Sequence, residues 1–271
     1  MGALHRGHVS LIDRAKREND IAVASIFVNP LQFNDKKDLE KYPRTLETDS
    51  EKLQTVHCDM LFSPSVDEMY KAHPQPLPLG GEKNKSQVLP NGEDLGGAFD
   101  LGMLDKVMEG AHRPGHFKGV CVVVKKLFDI IEPDKAYFGE KDFQQLEIIR
   151  QMVKTQNLPV EVISCPTVRE ANGLAMSSRN ALLTSDERKN AAHIYKTLLG
   201  SRERERGTVK EIKKWVEEEI NENPFLELEY FEIVNAETLV PVLSFEETKN
   251  LRACIAVKVG MVRLIDNISF Y

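Results

Sequence analysis

The chain has 271 residues, 41% of them hydrophobic and 29% charged, with a formal net charge of −6; that is enough for a sizeable core in one large α/β domain or two smaller ones, and its acidity gives no general reason to expect nucleic acid or an anionic membrane as partner. The four cysteines, Cys58, Cys121, Cys165 and Cys254, lie dozens of residues apart without a CxxC pair, so neither a zinc site nor a disulfide framework is predicted. No charged leader precedes an apolar core and no apolar run is as long as a membrane span, which makes the cytoplasm the expected compartment.

Met1-Gly2-Ala3-Leu4-His5-Arg6-Gly7-His8 places two histidines either side of a glycine at the start of a helix whose apolar positions include Val9, Ile12 and Ala15. Imidazoles beside a helix N-terminus, where free N–H groups and the dipole favour an anion, suggest a phosphate corner. The same pattern also suits a chain start whose polar residues lie in solvent. Residues 21–28 form a nearly continuous apolar run ended by Asn29-Pro30, as in a strand buried on both faces. Leu46, Leu53 and Val56 then recur at helical spacing, and Met60-Leu61-Phe62 reads as a short strand stopped by Pro64.

Between 71 and 100, prolines and glycines break every period, so a long loop or a hairpin-forming insertion is expected there, densest from 74 to 97. Leu101, Leu104, Val107 and Met108 predict a short helix stopped at Gly110, followed by the basic turn Arg113-Pro114-Gly115-His116. A helical stripe runs over Val120, Val123, Val124, Leu127, Ile130 and Ile131, although its β-branched first half also suits a strand. Ala136-Tyr137-Phe138 is a strand running into Gly139-Glu140-Lys141-Asp142, and Phe143, Leu146, Ile149 and Val153 mark the next helix. A charged loop at the carboxyl end of a strand is where open α/β sheets hold ligands. Residues 160–165 give one more strand, and a loop follows to Arg179.

Thr184 with Glu187 and Thr208 with Glu211 read as capping boxes opening helices near 185–200 and 209–222. Leu226, Leu228 and Tyr230, with residues 253–259, suggest a small antiparallel sheet. The predicted organisation is therefore an α/β domain over 1–179 with a doubly wound parallel sheet, and a smaller α+β domain over 180–271.

Five motifs occur in order: the opening Met1–His8 segment, Phe27-Val28-Asn29-Pro30-Leu31-Gln32-Phe33, Arg113-Pro114-Gly115-His116-Phe117-Lys118-Gly119, Gly139-Glu140-Lys141-Asp142-Phe143-Gln144-Gln145, and Met176-Ser177-Ser178-Arg179. Together they resemble the pantoate–β-alanine ligase (pantothenate synthetase) family of HxGH nucleotidyltransferases, and Arg263-Leu264-Ile265-Asp266-Asn267 resembles its closing segment. The resemblance spans essentially the whole chain. It implies a Rossmann-like fold and an ATP-dependent ligation in which pantoate attacks the α-phosphorus, pantoyl adenylate and pyrophosphate form, and β-alanine displaces AMP.

By that resemblance His8 is the proton donor, with His5 and Lys141 the other catalytic residues. ATP would lie along Met1, Gly2, Ala3, Leu4, His5, Arg6, Gly7 and His8, on Gly139, Glu140, Lys141 and Asp142, against Val168, and under Met176, Ser177, Ser178 and Arg179, although Arg6 holds the motif's variable position. Gln32 and Gln145 would bind pantoate, with Gln32 also near β-alanine, since an amide both donates to a carboxylate and accepts from a hydroxyl. Asn29 is a further substrate amide, or a turn former before Pro30. Arg113 and His116 are expected to help close the site. Mg²⁺ on the triphosphate is implied with no protein ligand of its own to name, and so is a homodimer.

In relatives a Pro-Thr pair, a helix and the first parallel strand precede the opening motif, whereas here the motif's own methionine comes first. A sheet without that strand is expected, with two uncovered internal edges, as in a fragment or a chain read from a later start. Two rival readings stand beside the ligase. One is a related nucleotidyltransferase with a phosphate acceptor, which Gln32 and Gln145 argue against because phosphate calls for Arg or Lys. The other is a truncated, weakly active or silent form serving only as a folded or oligomeric module.

Overall fold

A computed structural model describes residues 1–32, 39–40, 42–70, 99–205 and 207–271; the Pro/Gly-rich stretch from 74 to 97, and Phe33, lie outside the described residues. The elements run α1 (Arg6–Glu18), β1 (Val23–Ser25), α2 (Leu46–Thr55), β2 (Met60–Phe62), α3 (Val66–Tyr70), α4 (Met108–His112), α5 (His116–Ile131), β3 (Lys135–Gly139), α6 (Phe143–Thr155), β4 (Glu161–Cys165), α7 (Ser185–Glu203), α8 (Val209–Asn221), β5 (Leu226–Asn235), β6 (Leu251–Val259) and β7 (Val262–Ser269).

The first helix is capped by its own histidines: the His5 ring accepts the Gly7 N–H, and the His8 ring accepts the His5 N–H. A helix start needs such acceptors because its first N–H groups have no partner within the helix. Ile12 then packs with Leu4, Ala24, Ile26 and Leu53, which ties the motif to β1 and α2.

β1 pairs in parallel with β2, and β3 in parallel with β4. The expected strand over 21–28 is regular only at Val23–Ser25. The two pairs are not hydrogen-bonded to each other, so among the described residues the parallel strands form two separate pairs. One cavity of about 1400 Å³ reaches both sides, lined by Val23 and Ser25 from one pair and by Lys135, Tyr137 and Phe138 from the other. At its end the β1 edge is met by Met1, whose amine donates to the Ser25 carbonyl and whose carbonyl accepts from the Phe27 N–H, at 3.0 and 3.1 Å. That is parallel-ladder bonding around Ile26.

α5 and α6 supply most of the core beside the parallel strands, through Val120, Val123, Leu146, Ile149 and Met152. α5 is helical from His116 onward, which decides between the two readings of its β-branched half. It starts after Gly115, whose φ of +81° is the left-handed region that glycine enters without strain. The short helix expected to end at Gly110 instead begins at Met108 and passes through it. A Cβ on Gly110 would strike the Asp105 carbonyl, so this glycine permits a close approach of the preceding turn and does not stop the helix.

Both predicted capping boxes form, each with its reciprocal pair of hydrogen bonds. α7 and α8 pack Leu198, Ile212, Val216 and Ile220 against Ile233, Ile255 and Val257 of an antiparallel sheet ordered β5-β6-β7. β7 appears in the sequence only as the closing motif, yet it is a strand of eight residues. The cores interlock across residue 179: Val234, Leu239 and Cys254 join the cluster of α5 and α6, while Leu174 joins that of α7 and α8.

Candidate active site

The opening motif bends back over α1. Gly7 lies close under the His5 ring, and a Cβ there would come within 3.0 Å of its Cε1 and Nδ1, so the glycine between the histidines is a matter of space. The two rings are in contact, with centroids 3.9 Å apart and planes tilted by 32°. Both Nδ1 atoms accept backbone N–H groups, which assigns the proton of each neutral ring to Nε2. Burial pushes the His5 pKa down to about 4, and the positive charge of Lys141 acts the same way. Burial also holds His8 well below its ordinary value, helped by His5 and the chain's amine. Near neutral pH and without an anion the rings are neutral Nε2–H donors, because their desolvation outweighs Asp142, the carboxylate that opposes it at His5. Arg6 is exposed on the outside of the turn.

Gln32 lies on a short 3-10 turn, Pro30–Gln32, after β1. Its carbonyl accepts from His116 Nδ1 at 2.7 Å and from Arg113 at 3.3 Å, so the basic turn expected to close the site holds the Gln32 backbone. Burial, with Arg113 adding, pushes the His116 pKa down to about 4. Asn29 is 2% exposed and lines the cavity; its oxygen accepts from Tyr70 and the Leu31 N–H, and its amide nitrogen donates to the Gly119 carbonyl. Its geometry suits the turn-forming alternative, fixing the chain that presents Gln32. Gly119 on α5 packs so closely that a Cβ would strike the Leu31 carbonyl.

The third wall is the turn Glu140–Asp142 between β3 and α6. Lys141 and Gln145 both line the cavity, and Lys141 Nζ lies 3.6 Å from Asp142 Oδ1. Gln144, the neighbour of Gln145, is buried and bonds the Glu109 N–H and the carbonyls of Leu104 and Val107. The fourth wall is the segment after β4: Met176 donates its N–H to the Val168 carbonyl, Ser177 caps the turn Ser178–Leu182, and Ser178 Oγ donates to the Ala3 carbonyl at 3.0 Å. Gly2, Ala3 and Leu4 are thereby held between the serine loop and α2. His5, His8, Gln32, Lys141, Gln145, Val168, Met176, Ser177, Ser178 and Arg179 all border the one cavity.

A family model for pantoate-beta-alanine ligase matches residues 1–269. The chain belongs to the pantoate–β-alanine ligase family. Ligation of pantoate and β-alanine is accordingly its activity. Pantothenate synthetases from Bacteroides thetaiotaomicron and Porphyromonas gingivalis are each 51% identical to it over 271 residues, covering all of this chain and 89% of theirs. A crystal structure of the Thermus thermophilus pantothenate synthetase superposes with a TM-score of 0.85 at 44% identity, covering all of this chain and 91% of that one. The Francisella tularensis pantoate–β-alanine ligase, solved in complex with β-γ ATP and β-alanine, gives 0.73 at 35% identity, covering all of this chain and 87% of that one.

Two residues that hold the opening motif escape sequence reading. Asp49 and Lys52 of α2 clamp Leu4 from both sides, the carboxylate accepting its N–H at 2.6 Å and the ammonium donating to its carbonyl at 2.6 Å. Asp49 is fully buried, and its second oxygen has no hydrogen-bond partner among the described residues. In the sequence both look like the solvated face of an amphipathic helix; the only available signal was a carboxylate at a position that the Leu46 and Leu53 stripe leaves free.

Proposed function

We propose that this chain joins pantoate to β-alanine through a pantoyl-adenylate intermediate, using ATP and releasing AMP and pyrophosphate. The observation that carries the reading is the pair of Nε2–H imidazoles standing with Lys141 in the same cavity as Gln32 and Gln145. Cationic and N–H donors suit a triphosphate, and paired amides suit a hydroxy acid. A phosphate acceptor in place of pantoate would ask for Arg or Lys where these amides stand.

In the first step a pantoate carboxylate oxygen bonds to the α-phosphorus as the bond to pyrophosphate breaks. His5 and His8 donate from Nε2 to oxygens that gain negative charge, and Lys141 with Ser177, Ser178 and Arg179 follows the departing pyrophosphate. His8 presents its Nε2 proton to these oxygens as the proton donor that the resemblance implies, with its Nδ1 held by the His5 N–H. In the second step the neutral β-alanine nitrogen attacks the acyl carbon, the bond from that carbon to the adenylate oxygen breaks, AMP leaves and the nitrogen gives up one proton to solvent.

Mg²⁺ would ride on the triphosphate. No cluster of three or more His, Cys, Asp or Glu able to hold a metal occurs among the described residues, and the half-exposed Asp142 beside Lys141 fits the water shell of an ion bound to phosphate. The ion would supply charge neutralisation along the leaving group. The two-domain division at 179 and the cytoplasmic compartment, both read from the sequence, and the homodimer, implied by the family resemblance, belong to this proposal.

The test is β-alanine-dependent AMP release from D-pantoate, ATP and Mg²⁺. Equal yields of AMP, pyrophosphate and pantothenate are expected, with pyrophosphate exchange into ATP that needs pantoate but not β-alanine. Production of ADP and phosphate would overturn the adenylate route.

A further inference from the structure

Two successive residues of β7 reach out of the antiparallel sheet to the two loops that would hold phosphate. Asp266 and Asn267 are each only 5% exposed. Neighbours on a strand point to opposite faces, so one short segment can grip two targets. Asp266 takes Arg169 in a two-pronged ion pair at 2.6 and 3.0 Å; Arg169 adjoins Val168, donates to the Gly173 carbonyl and stacks over Tyr195 with its guanidinium 3.6 Å from the ring centre. Asn267 Nδ2 donates to the Glu140 and Lys141 carbonyls, each at 2.9 Å. Its Oδ1 accepts from Arg252 on β6 at 2.8 Å, and Arg252 also reaches the Glu140 carboxylate at 3.1 Å while lying over the Phe143 ring.

One amide thus pins two consecutive carbonyls, one of them that of Lys141, and is itself aimed by an arginine from the neighbouring strand. We infer that Asn267, oriented by Arg252, is a positioning residue for Lys141, so that the C-terminal sheet sets where the phosphate-facing ammonium stands. The inference rests on the reading of Lys141 as an ATP contact. A side chain bonded across 126 positions of sequence to the backbone of a ligand loop acts through that loop's geometry, and misplacement by about 1 Å costs up to roughly 100-fold in rate.

The experiment is a double-mutant cycle of Asn267→Ala and Lys141→Ala in the full chain, read by ATP affinity in calorimetry and by kcat and KM for each substrate. Asn267→Ala alone is expected to weaken ATP binding and lower kcat together by roughly 10- to 100-fold, with KM for pantoate within about twofold. In the Lys141→Ala background the same change should alter ATP affinity by less than about twofold, because the group it positions is gone. Equal losses in both backgrounds would overturn the inference, since a generally loosened fold multiplies through. Unchanged ATP affinity and kcat in folded Asn267→Ala would overturn it while leaving the ATP reading intact, provided Lys141→Ala is impaired. An unimpaired Lys141→Ala would overturn both. Asn267→Asp keeps the volume and the acceptor for Arg252 and is read the same way if the alanine variant does not fold; failure of both to fold would make the role structural and end the proposal.

Discussion

β1 and β2 pair over three residues and β3 and β4 over five, whereas β5, β6 and β7 run for ten, nine and eight residues. The short parallel pairs end in loops that carry cavity-lining groups, and the polar residues buried around them, Asn29, Asp49 and His116, bond the backbone of those loops and their neighbours. The antiparallel half instead buries Ile233, Ala253, Ala256, Val257 and Val259 completely. Apolar burial at about 25 cal/mol per Å² is the main favourable term in folding; the C-terminal part packs its core into a shorter stretch of chain, while the N-terminal part, with its own core on α5 and α6, also places the loops. Changes in the two halves should accordingly separate catalysis from stability.

The largest effect is expected for His8→Ala. Loss of a positioned proton donor should lower the rate of AMP release by about 10²- to 10⁴-fold, with only a small change in the thermal midpoint followed by circular dichroism; normal turnover with a large thermal loss would break the comparison. Ile233→Ala is the converse. Truncating this fully buried β5 residue should cost about 2–5 kcal/mol in denaturant titration, with KM for ATP unchanged in the folded protein. A raised KM would show that packing in the sheet also tunes the site.

A smaller effect sharpens the picture through pH. Folding lowers the pKa values of His5 and His116 to about 4 and that of His8 in the same direction, and burial also lowers the Met1 amine to about 6. The unfolded chain therefore binds more protons than the folded one below the ordinary values of these groups. Their stability is full above about pH 8, declines first as the amine titrates, and declines further from pH 6.5 towards 4 as the histidines follow. Glu147, pushed up by burial, acts in the opposite sense near the bottom of that range. Denaturant midpoints measured between pH 8 and 4.5 should fall with pH, and a rise would contradict the neutral histidine pair.

Local chemistry was legible in the sequence and long-range chemistry was not. Thr184 with Glu187 and Thr208 with Glu211 announce their helices because both partners lie within one turn. Gly110 misled, since a glycine needed for a close approach to Asp105 is indistinguishable in sequence from one that ends a helix. The motifs identified His5, His8, Gln32, Lys141 and Gln145, and the fold brings them to one cavity. Asn29 has the right residue type for a substrate amide and lines the cavity, but the bonds of its oxygen to Tyr70 and of one N–H to Gly119, 41 and 90 positions away, could not be read from the sequence. Asp49, Lys52 and Asn267 act through similarly remote backbone groups. No periodicity could reveal them.

The contact between His5 and His8 has a consequence for the accounting of protons. Rings 3.9 Å apart cannot both carry a charge cheaply, and each Nδ1 is taken by a backbone N–H, so the pair keeps its Nε2 protons and has no free nitrogen for more. The corner is therefore polarised one way: it offers N–H to an oxygen and has no lone pair with which to meet a cation or another donor.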